Sequence, residues 1–341
     1  MKVLVVTFPN DLGSRTIEAN LVKFVSKFAD VQLFRFAAQD SDQIDSRIDN
    51  RRNLMRRFQD ALKLRAAVQA GVKEGRKILF YNISPALFAF GAWSGGDAYI
   101  TLDWARRLLS KPGSRDMDPM TYLHRHVLRA CKKILPMTDA MAACLAADYD
   151  IPPDKIHRIP SLFDVEYFDP GEIGESKELR LLFVGGDVVR KGGDLLHAAF
   201  CDRLSGFCSL TMVTNADLPP HQGLTILRGI RYGTTEHLQV MREHDVFVLP
   251  THEDAGPQVI GEAAAAGLAV FTTRSALGAP HVVEDGITGV IAETPEDCLR
   301  RLESAIMERS GILEMRKRAL IHMRREFSAA AIVSAISDGM K

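Results

Sequence analysis

Asp254 and Glu262 stand eight residues apart in the stretch VFVLPTHEDAGPQVIGEAAAAGLAVFTT, residues 246–273. Arg190 and Lys191 form a basic pair in an earlier stretch, LLFVGGDVVRKGGDLL, residues 181–196. A carboxylate accepts two hydrogen bonds from a vicinal diol, which is what a ribose offers. A lysine is a mobile point charge that can reach a diphosphate. Together these residue types could bind a ligand that carries both phosphate and ribose.

The elements around them must place them. Val246–Leu249 is short and continuously apolar, as in a strand buried on both faces of a parallel sheet. Gly256 and Pro257 mark a helix start, because proline suits the first helical position, whose amide has no intrahelical partner. Gly267 stands where a helix end needs a left-handed residue, and Leu268–Phe271 restarts the sheet. Asp254 then lies in the loop at the carboxyl end of a strand, and Glu262 lies inside the next helix. Glu262 is five residues beyond Pro257, a rise of roughly 7.5 Å, so a phosphate at the helix start and a ribose further along would both be in reach. Gln258 opens the same helix. The helix has few other charged groups, so Glu262 asks for a partner; the plainer reading is an exposed helix carboxylate.

In the earlier stretch a buried strand runs into Gly185, Gly186 and Asp187, then Arg190, Lys191, Gly192, Gly193 and a helix. Free amides at that helix start and its positive dipole end favour an anion. The plainer reading is an ordinary turn with a solvated basic pair. The two loops are expected one strand apart, which favours the ligand site.

These motifs resemble those of the retaining GT-B glycosyltransferases of family four (glycosyltransferase group 1). That family carries Glu, seven residues, Glu, a small-residue run ending in Gly, a buried strand and a segment like VEDGxTG. Here Asp254, Glu262, Ala263–Gly267, then Glu284-Asp285-Gly286 and Thr288-Gly289 take those places. The stretch IPPDKIHRIPSLFDVEYFDP, residues 151–170, also agrees, and the resemblance runs from Lys133 to Ala292. It implies an α/β protein of GT-B fold, with two Rossmann-like doubly wound domains facing across a cleft. The implied reaction transfers a hexose from a nucleoside-diphosphate sugar to a hydroxyl acceptor with retention of anomeric configuration. The donor is then a co-substrate, with no cofactor and no metal required, and the acceptor is a carbohydrate or lipid-linked.

By the same resemblance Lys191 contacts the donor diphosphate, Glu262 the ribose and Asp254 the donor sugar, with Glu253 adjacent as a substitute. Three departures stand out: Gly186 where the family usually has Arg, Asp254 for Glu, and Ser161 where Asn is frequent. They leave open a non-catalytic sugar-nucleotide binder, or a sugar-nucleotide epimerase of the same architecture. Gly186 also poses the question whether Arg190 supplies the charge its side chain lacks.

Other constellations carry less. His252-Glu253-Asp254 are adjacent, and adjacent residues rarely converge on one metal ion. Asp148-Tyr149-Asp150 sits at a helix end, far from the nucleotide signals, and reads as a solvated pair. A dinucleotide fold needs G-x-G-x-x-G after the first strand, and Phe8–Ser14 offers one glycine. Gly13 and Ser14 still open a helix there, and with Asp103, just after another strand-like run, they are candidates for the acceptor side. His124 and His126 read as surface helix residues.

The chain has 341 residues, enough for about two domains. Its 43 basic and 43 acidic residues cancel, so no global field argues for nucleic acid. The five cysteines are scattered without C-x-x-C, as expected for small buried hydrophobes in a reducing compartment. Met1–Phe8 is too short an apolar run for a secretory core, and no run approaches the ~18 residues of a membrane span. A cytoplasmic protein is expected.

Eleven strand-like runs alternate with helical segments, which implies parallel sheets with helices on both faces. The expected division is 1–165, 166–325 and a terminal helix in 326–341 that crosses back to the first domain, as in the resembled family. One local imbalance remains. Between Ser46 and Lys77 ten basic residues face three acidic ones, and Met55, Phe58, Leu62 and Val68 recur at near-helical spacing. Such a segment is either a solvated helix face or a dock for the inner face of an anionic membrane.

Overall fold

All eleven apolar runs become strands, and every pairing between them is parallel. The computed structural model describes residues 1–8, 12–36, 50–108, 119–175, 177–256, 258–308 and 310–341. Residues 46–49 of the basic segment and Pro257 lie outside them. The described residues form two compact units, Met1–Leu162 with Ala330–Lys341, and Phe163–Ala329. Each is a parallel α/β unit, and the fold class is the one the sequence implies.

In the first unit the chain runs β1 (Lys2–Thr7), α1 (Leu12–Val25), β2 (Asp30–Arg35), α2 (Asn50–Lys73), β3 (Lys77–Tyr81), α3 (Ile83–Phe88), β4 (Ala98–Leu102), α4 (Pro119–Ala130), β5 (Lys133–Pro136) and α5 (Asp139–Ala147). The sheet order is β2-β1-β3-β4-β5. Residues 3–6 and 78–80 are fully buried, as apolar runs covered on both faces must be.

The helix α2 corrects the stripe read from sequence. Leu64 and Val68 are buried, and a Cβ at Gly71 would stand 3.1 Å from Leu4, so this face packs on the sheet. Phe58 and Leu62 lie on another face and are 63% and 52% exposed. Two stripes at helical spacing compete, and contact with the sheet selects one.

The second unit runs α6 (Val165–Phe168), β6 (Leu179–Val184), α7 (Gly193–Ala199), β7 (Cys208–Val213), β8 (Leu224–Leu227), α8 (Thr235–Arg242), β9 (Val246–Leu249), α9 (Gln258–Ala265), β10 (Ala269–Thr273), β11 (Gly289–Ala292), α10 (Pro295–Met307) and α11 (Ser310–Glu326). Its sheet order is β11-β10-β9-β6-β7-β8. The chain steps outward from β6 to β8, then returns to the other side of β6 as β9. The order therefore reverses between β6 and β9, and in open parallel sheets ligands bind at the carboxyl ends of such a pair.

Packing fixes α9 over the sheet. Ile260, Ala263, Ala264 and Ala265 are buried, and a Cβ at Gly261 would fall 2.2 Å from the Phe163 ring. Gly267 takes φ 75° after the helix, the left-handed value its position demands. Asp245, fully buried before β9, pairs with Arg316 of α11 at 2.6 Å and with Arg180 of β6 at 3.3 Å. Removing one partner of such a buried pair costs about 3–5 kcal/mol.

The last helix, α12 (Ala329–Gly339), joins the first unit. The Met340 carbonyl accepts from Tyr99 at 2.8 Å and from Lys77, and the Ala335 carbonyl meets His157 Nε2 at 3.1 Å. Among the described residues no helix is long and apolar enough to cross a membrane.

Candidate functional site

The loops that follow β6 and β9 carry the sequence candidates, and they are stitched together. The His252 amide donates to the Arg190 carbonyl at 2.9 Å, and the Thr251 hydroxyl donates to it at 3.1 Å. The Arg190 guanidinium donates to the Glu253 carbonyl at 2.6 Å. Gly192 permits this approach: its φ is 68°, and a Cβ there would stand 2.0 Å from the Pro250 carbonyl oxygen. No other residue fits.

This stitching brings Lys191, Arg190 and Asp254 to one point. Lys191 Nζ lies 3.3 Å from Asp254 Oδ2, and an Arg190 nitrogen lies 3.7 Å from the same oxygen. The Lys191 and Asp254 side chains are 17% and 14% exposed, so their attraction is screened less than that of a surface pair. Asp254 is also pinned through its backbone. Its amide donates to the Ser275 carbonyl at 3.0 Å, and its carbonyl accepts from the Leu277 amide at 2.9 Å. Glu253 is exposed, and it meets Arg190 through its carbonyl rather than its carboxylate. Arg190 is further held by Asp187, at 3.3 Å.

The free amides expected at the start of α7 are fewer than a helix start usually leaves. The amides of Lys191, Gly192 and Gly193 donate to the carbonyls of Asp187, Val189 and Val188, and the Arg190 amide donates to the Asp187 carboxylate. The loop turns these donors inward, while the amides of Asp194 and Leu195, in the first turn of α7, have no hydrogen-bond partner among the described residues. An anion there would meet these two amides and the side-chain cations. The start of α9 is open in the same way: among the described residues the amides of Gln258, Val259 and Ile260 have no hydrogen-bond partner. The buried Gln258 Oε1 also lacks one. Gly256 precedes them, and Pro257 lies outside the described residues.

Gly185 is tight, since a Cβ would stand 2.8 Å from both Lys191 Cδ and Phe183. Gly186 is the opposite case. It is exposed, and a Cβ there would meet nothing within 4 Å.

Glu262 is buried in α9, not an exposed helix carboxylate, and it has the partner its isolation demands. His237 Nε2 of α8 lies 3.4 Å from Glu262 Oε2. Nothing in the sequence pattern marks His237, which reaches Glu262 only because α8 and α9 both pack on α6 in the fold.

The acceptor-side candidates belong to the first unit. Ser14 is buried within α1, which removes it from an open surface, and Gly13 lies in the same helix. Asp103 follows β4 and accepts from the Tyr81 hydroxyl at 3.2 Å, while Trp104 beside it is half exposed. Sequence reasoning passed over Glu18. It is buried in α1, takes the Thr7 hydroxyl on one oxygen and Arg35 at 2.7 Å on the other. Asn82, after β3, holds φ 72° and ψ 165°, a region left mainly to glycine, and its buried Oδ1 has no partner among the described residues.

The remaining groups are structural. Asp150 is held by Arg125 and by Arg129 at 2.6 Å, and Asp148 faces Arg107 at 3.8 Å. Ser161 is buried and donates to the Met137 carbonyl at 3.3 Å. In the 284–289 segment the Thr288 hydroxyl accepts from the Glu284 amide at 2.8 Å and the Asp285 carboxylate from the Ile291 amide at 2.9 Å, so both residues serve the turn. Burial pushes the thiols of Cys131, Cys144 and Cys298 up to about 12, which leaves them protonated and unreactive. Among the described residues no group of three or more His, Cys, Asp or Glu could hold a metal ion.

Two parallel-sheet α/β units, with basic and acidic side chains gathered at the strand reversal of the second, have the architecture of the GT-B fold. Residues 178–308 match the family described as glycosyl transferases group 1. That match lies in the second unit, and the fold of both units is that of GT-B glycosyltransferases. Among curated relatives, a phosphatidylinositol N-acetylglucosaminyltransferase subunit of Arabidopsis thaliana is 26% identical over 45% of this chain and 37% of its own length. D-inositol 3-phosphate glycosyltransferase of Actinosynnema mirum is 28% identical over 48% of this chain and 46% of its own. The chain thus spans less than half the length of the curated relatives it matches. Solved structures cover it fully. Sucrose-phosphate synthase from Thermosynechococcus elongatus superposes with a TM-score of 0.75 at 15% identity, covering 99% of this chain and 98% of its own. Anabaena HepE, solved in complex with UDP-glucose, superposes at 0.73 and 12%, over 99% and 98%.

Proposed function

We propose that this protein transfers a hexose from a nucleoside-diphosphate sugar to a hydroxyl acceptor, with retention of the anomeric configuration. The observation that carries the reading is the convergence of Lys191, Arg190 and Asp254 at the carboxyl ends of β6 and β9, with Glu262 inside the helix that follows. The two cations would bind the diphosphate, the free amides at the start of α9 would add donors to its oxygens, and Glu262 would accept from the ribose hydroxyls. Asp254 would accept from hydroxyls of the sugar.

In the transfer, the bond from the anomeric carbon to the diphosphate oxygen breaks and a bond from that carbon to the acceptor oxygen forms. The acceptor proton passes to the departing diphosphate. Negative charge grows on the diphosphate as the bond breaks, so Lys191 and Arg190 stabilise the transition state more than the ground state. No metal is needed in this scheme.

The donor reading draws support from HepE, which was solved with UDP-glucose. The curated relatives are named for phosphatidylinositol and inositol phosphate, which favours a polyol or lipid-linked hydroxyl as acceptor. A lipid-linked acceptor would suit the exposed Phe58 and Leu62 of the basic helix α2, seated at the inner membrane face. The test is mass-spectrometric: purified protein is incubated with a panel of nucleoside-diphosphate sugars, with and without inositol phosphate or phosphatidylinositol vesicles. Donor consumption that requires acceptor supports transfer. Donor binding without turnover points to a non-catalytic binder, and turnover without acceptor to an epimerase.

A further inference from the structure

We infer that His237 is a positioning residue that fixes the Glu262 carboxylate and so gives the site its selectivity for a ribose diol. The inference rests on the donor reading above. Both side chains are buried, each residue 6% exposed, and they come from different helices. His237 Nε2 lies 3.4 Å from Glu262 Oε2. That is long for a charge-assisted hydrogen bond. The ring therefore steers the carboxylate without consuming its capacity to accept, and the second carboxylate oxygen has no partner among the described residues.

The ring itself cannot turn freely. Phe168 meets it edge-on at 5.6 Å between centroids, and Tyr232 lies tilted at 5.4 Å. The Thr234 hydroxyl accepts from the His237 amide at 3.2 Å and caps α8. The Thr234 carbonyl accepts from the Tyr167 hydroxyl at 3.1 Å, which ties the cap to α6. Two aromatic walls and a capped helix end thus orient one imidazole edge at Glu262.

For a neutral ring, the opposite edge favours one tautomer. His237 Nδ1 is buried with no hydrogen-bond partner among the described residues. A proton there would be an unsatisfied buried donor, whereas a proton on Nε2 faces Glu262. The ring then keeps a buried lone pair that adds nothing to stability. A phenylalanine would fill this aromatic surround without that cost. Histidine is the worse choice for the fold and the better one for holding a carboxylate.

The experiment separates those two roles. Wild type, His237→Phe and His237→Gln are titrated calorimetrically with UDP, GDP and ADP, and with the 2′-deoxy form of whichever binds most tightly. Thermal unfolding of each is recorded in parallel. The wild type is expected to prefer the ribose form roughly tenfold or more, the scale of a hydrogen bond to a charged group. In His237→Phe the Tm is expected to hold or rise while the preference falls toward unity. In His237→Gln, whose amide nitrogen can take the place of Nε2, the preference is expected to return. A stable His237→Phe protein that keeps the full preference overturns the inference. So does a wild type that binds diphosphates without preferring ribose, although the donor reading then stands. A wild type that binds none of the three diphosphates overturns both.

Discussion

Lys191 and Asp254 pair at 3.3 Å across the loops that follow two adjacent strands, β6 and β9. A diphosphate that recruits Lys191 must therefore compete with a carboxylate already on it. The same carboxylate sits 3.7 Å from Arg190, so one anion restrains both cations. The pair sets the cations' positions and limits their free charge at once.

Replacing Lys191 by Ala is expected to weaken donor binding by about ten- to a hundredfold, the worth of a charge-assisted hydrogen bond at ~1.5–3 kcal/mol. Turnover should fall as well, because the lost cation also meets the charge that grows on the leaving group. Thermal unfolding should be little changed, since Arg190 remains beside the Asp254 carboxylate that loses Lys191. Calorimetry and initial rates check both. Activity within twofold of wild type would remove Lys191 from the site.

Asp254→Asn and Glu262→Gln should part company. Placement along the chain alone predicts that Asp254→Asn spares the bare nucleoside diphosphate. The ion pair sharpens this: freeing Lys191 and Arg190 should tighten the bare diphosphate severalfold while lowering turnover and blurring choice among sugars. Glu262→Gln should instead weaken diphosphate and intact donor by similar factors, because both carry the ribose. Titration of each mutant with diphosphate and with donor decides. Equal weakening of the diphosphate by both substitutions would sink the division of sugar and ribose between them.

The strands were legible because fully buried parallel strands leave short apolar runs with turn residues between them. Most strands begin one or two residues before the runs, through polar residues such as Lys77 and Lys133 whose backbone joins the ladder, while β1, β2 and β5 end at Thr7, Arg35 and Pro136, one residue short of them. What sequence could not show was decided by contact. Spacing in α2 gives two apolar stripes, one through Leu64 and Val68, the other through Phe58 and Leu62, and only the sheet chooses between them. A helix start usually leaves its first amides free; at α7 the turn through Val188 takes that of Gly193 and leaves those of Asp194 and Leu195. Glu262 was visible as an isolated acid, but His237 was not, because their meeting depends on how α8 and α9 each pack on α6.

Acid should destabilise the protein through His244. Desolvation holds its imidazole below the ordinary value, against the opposing effect of the Val240 carbonyl, which lies 2.6 Å from Nδ1. The unfolded chain then binds the proton more readily than the folded one. Its contribution is fully present above the unfolded value of ~6.5 and is lost as pH falls through the folded one. The Tm should drop between pH 7.5 and 5, before carboxylates titrate. His244→Gln should flatten that slope; an unchanged slope would assign the acid sensitivity elsewhere.

Gly186 offers a gain-of-function test. Its position follows β6, where the resembled family usually carries an arginine, and the space beyond its Cα is empty to 4 Å. Its φ lies outside the left-handed region, so a side chain brings no backbone strain. Gly186→Arg should therefore fold with an unchanged Tm. A guanidinium there adds a second fork-shaped donor set beside Lys191 and Arg190. If the site holds a diphosphate, affinity for the bare nucleoside diphosphate should rise about tenfold, the scale of one charge-assisted contact. Turnover should rise less, since part of the new attraction acts equally on bound substrate and transition state. Arg190→Ala should cost most of its binding energy in the wild type and much less in the Gly186→Arg background, if Arg190 supplies the charge that Gly186 lacks. Equal losses in the two backgrounds, read by calorimetry as a double-mutant cycle, would show that the two positions do not share that task.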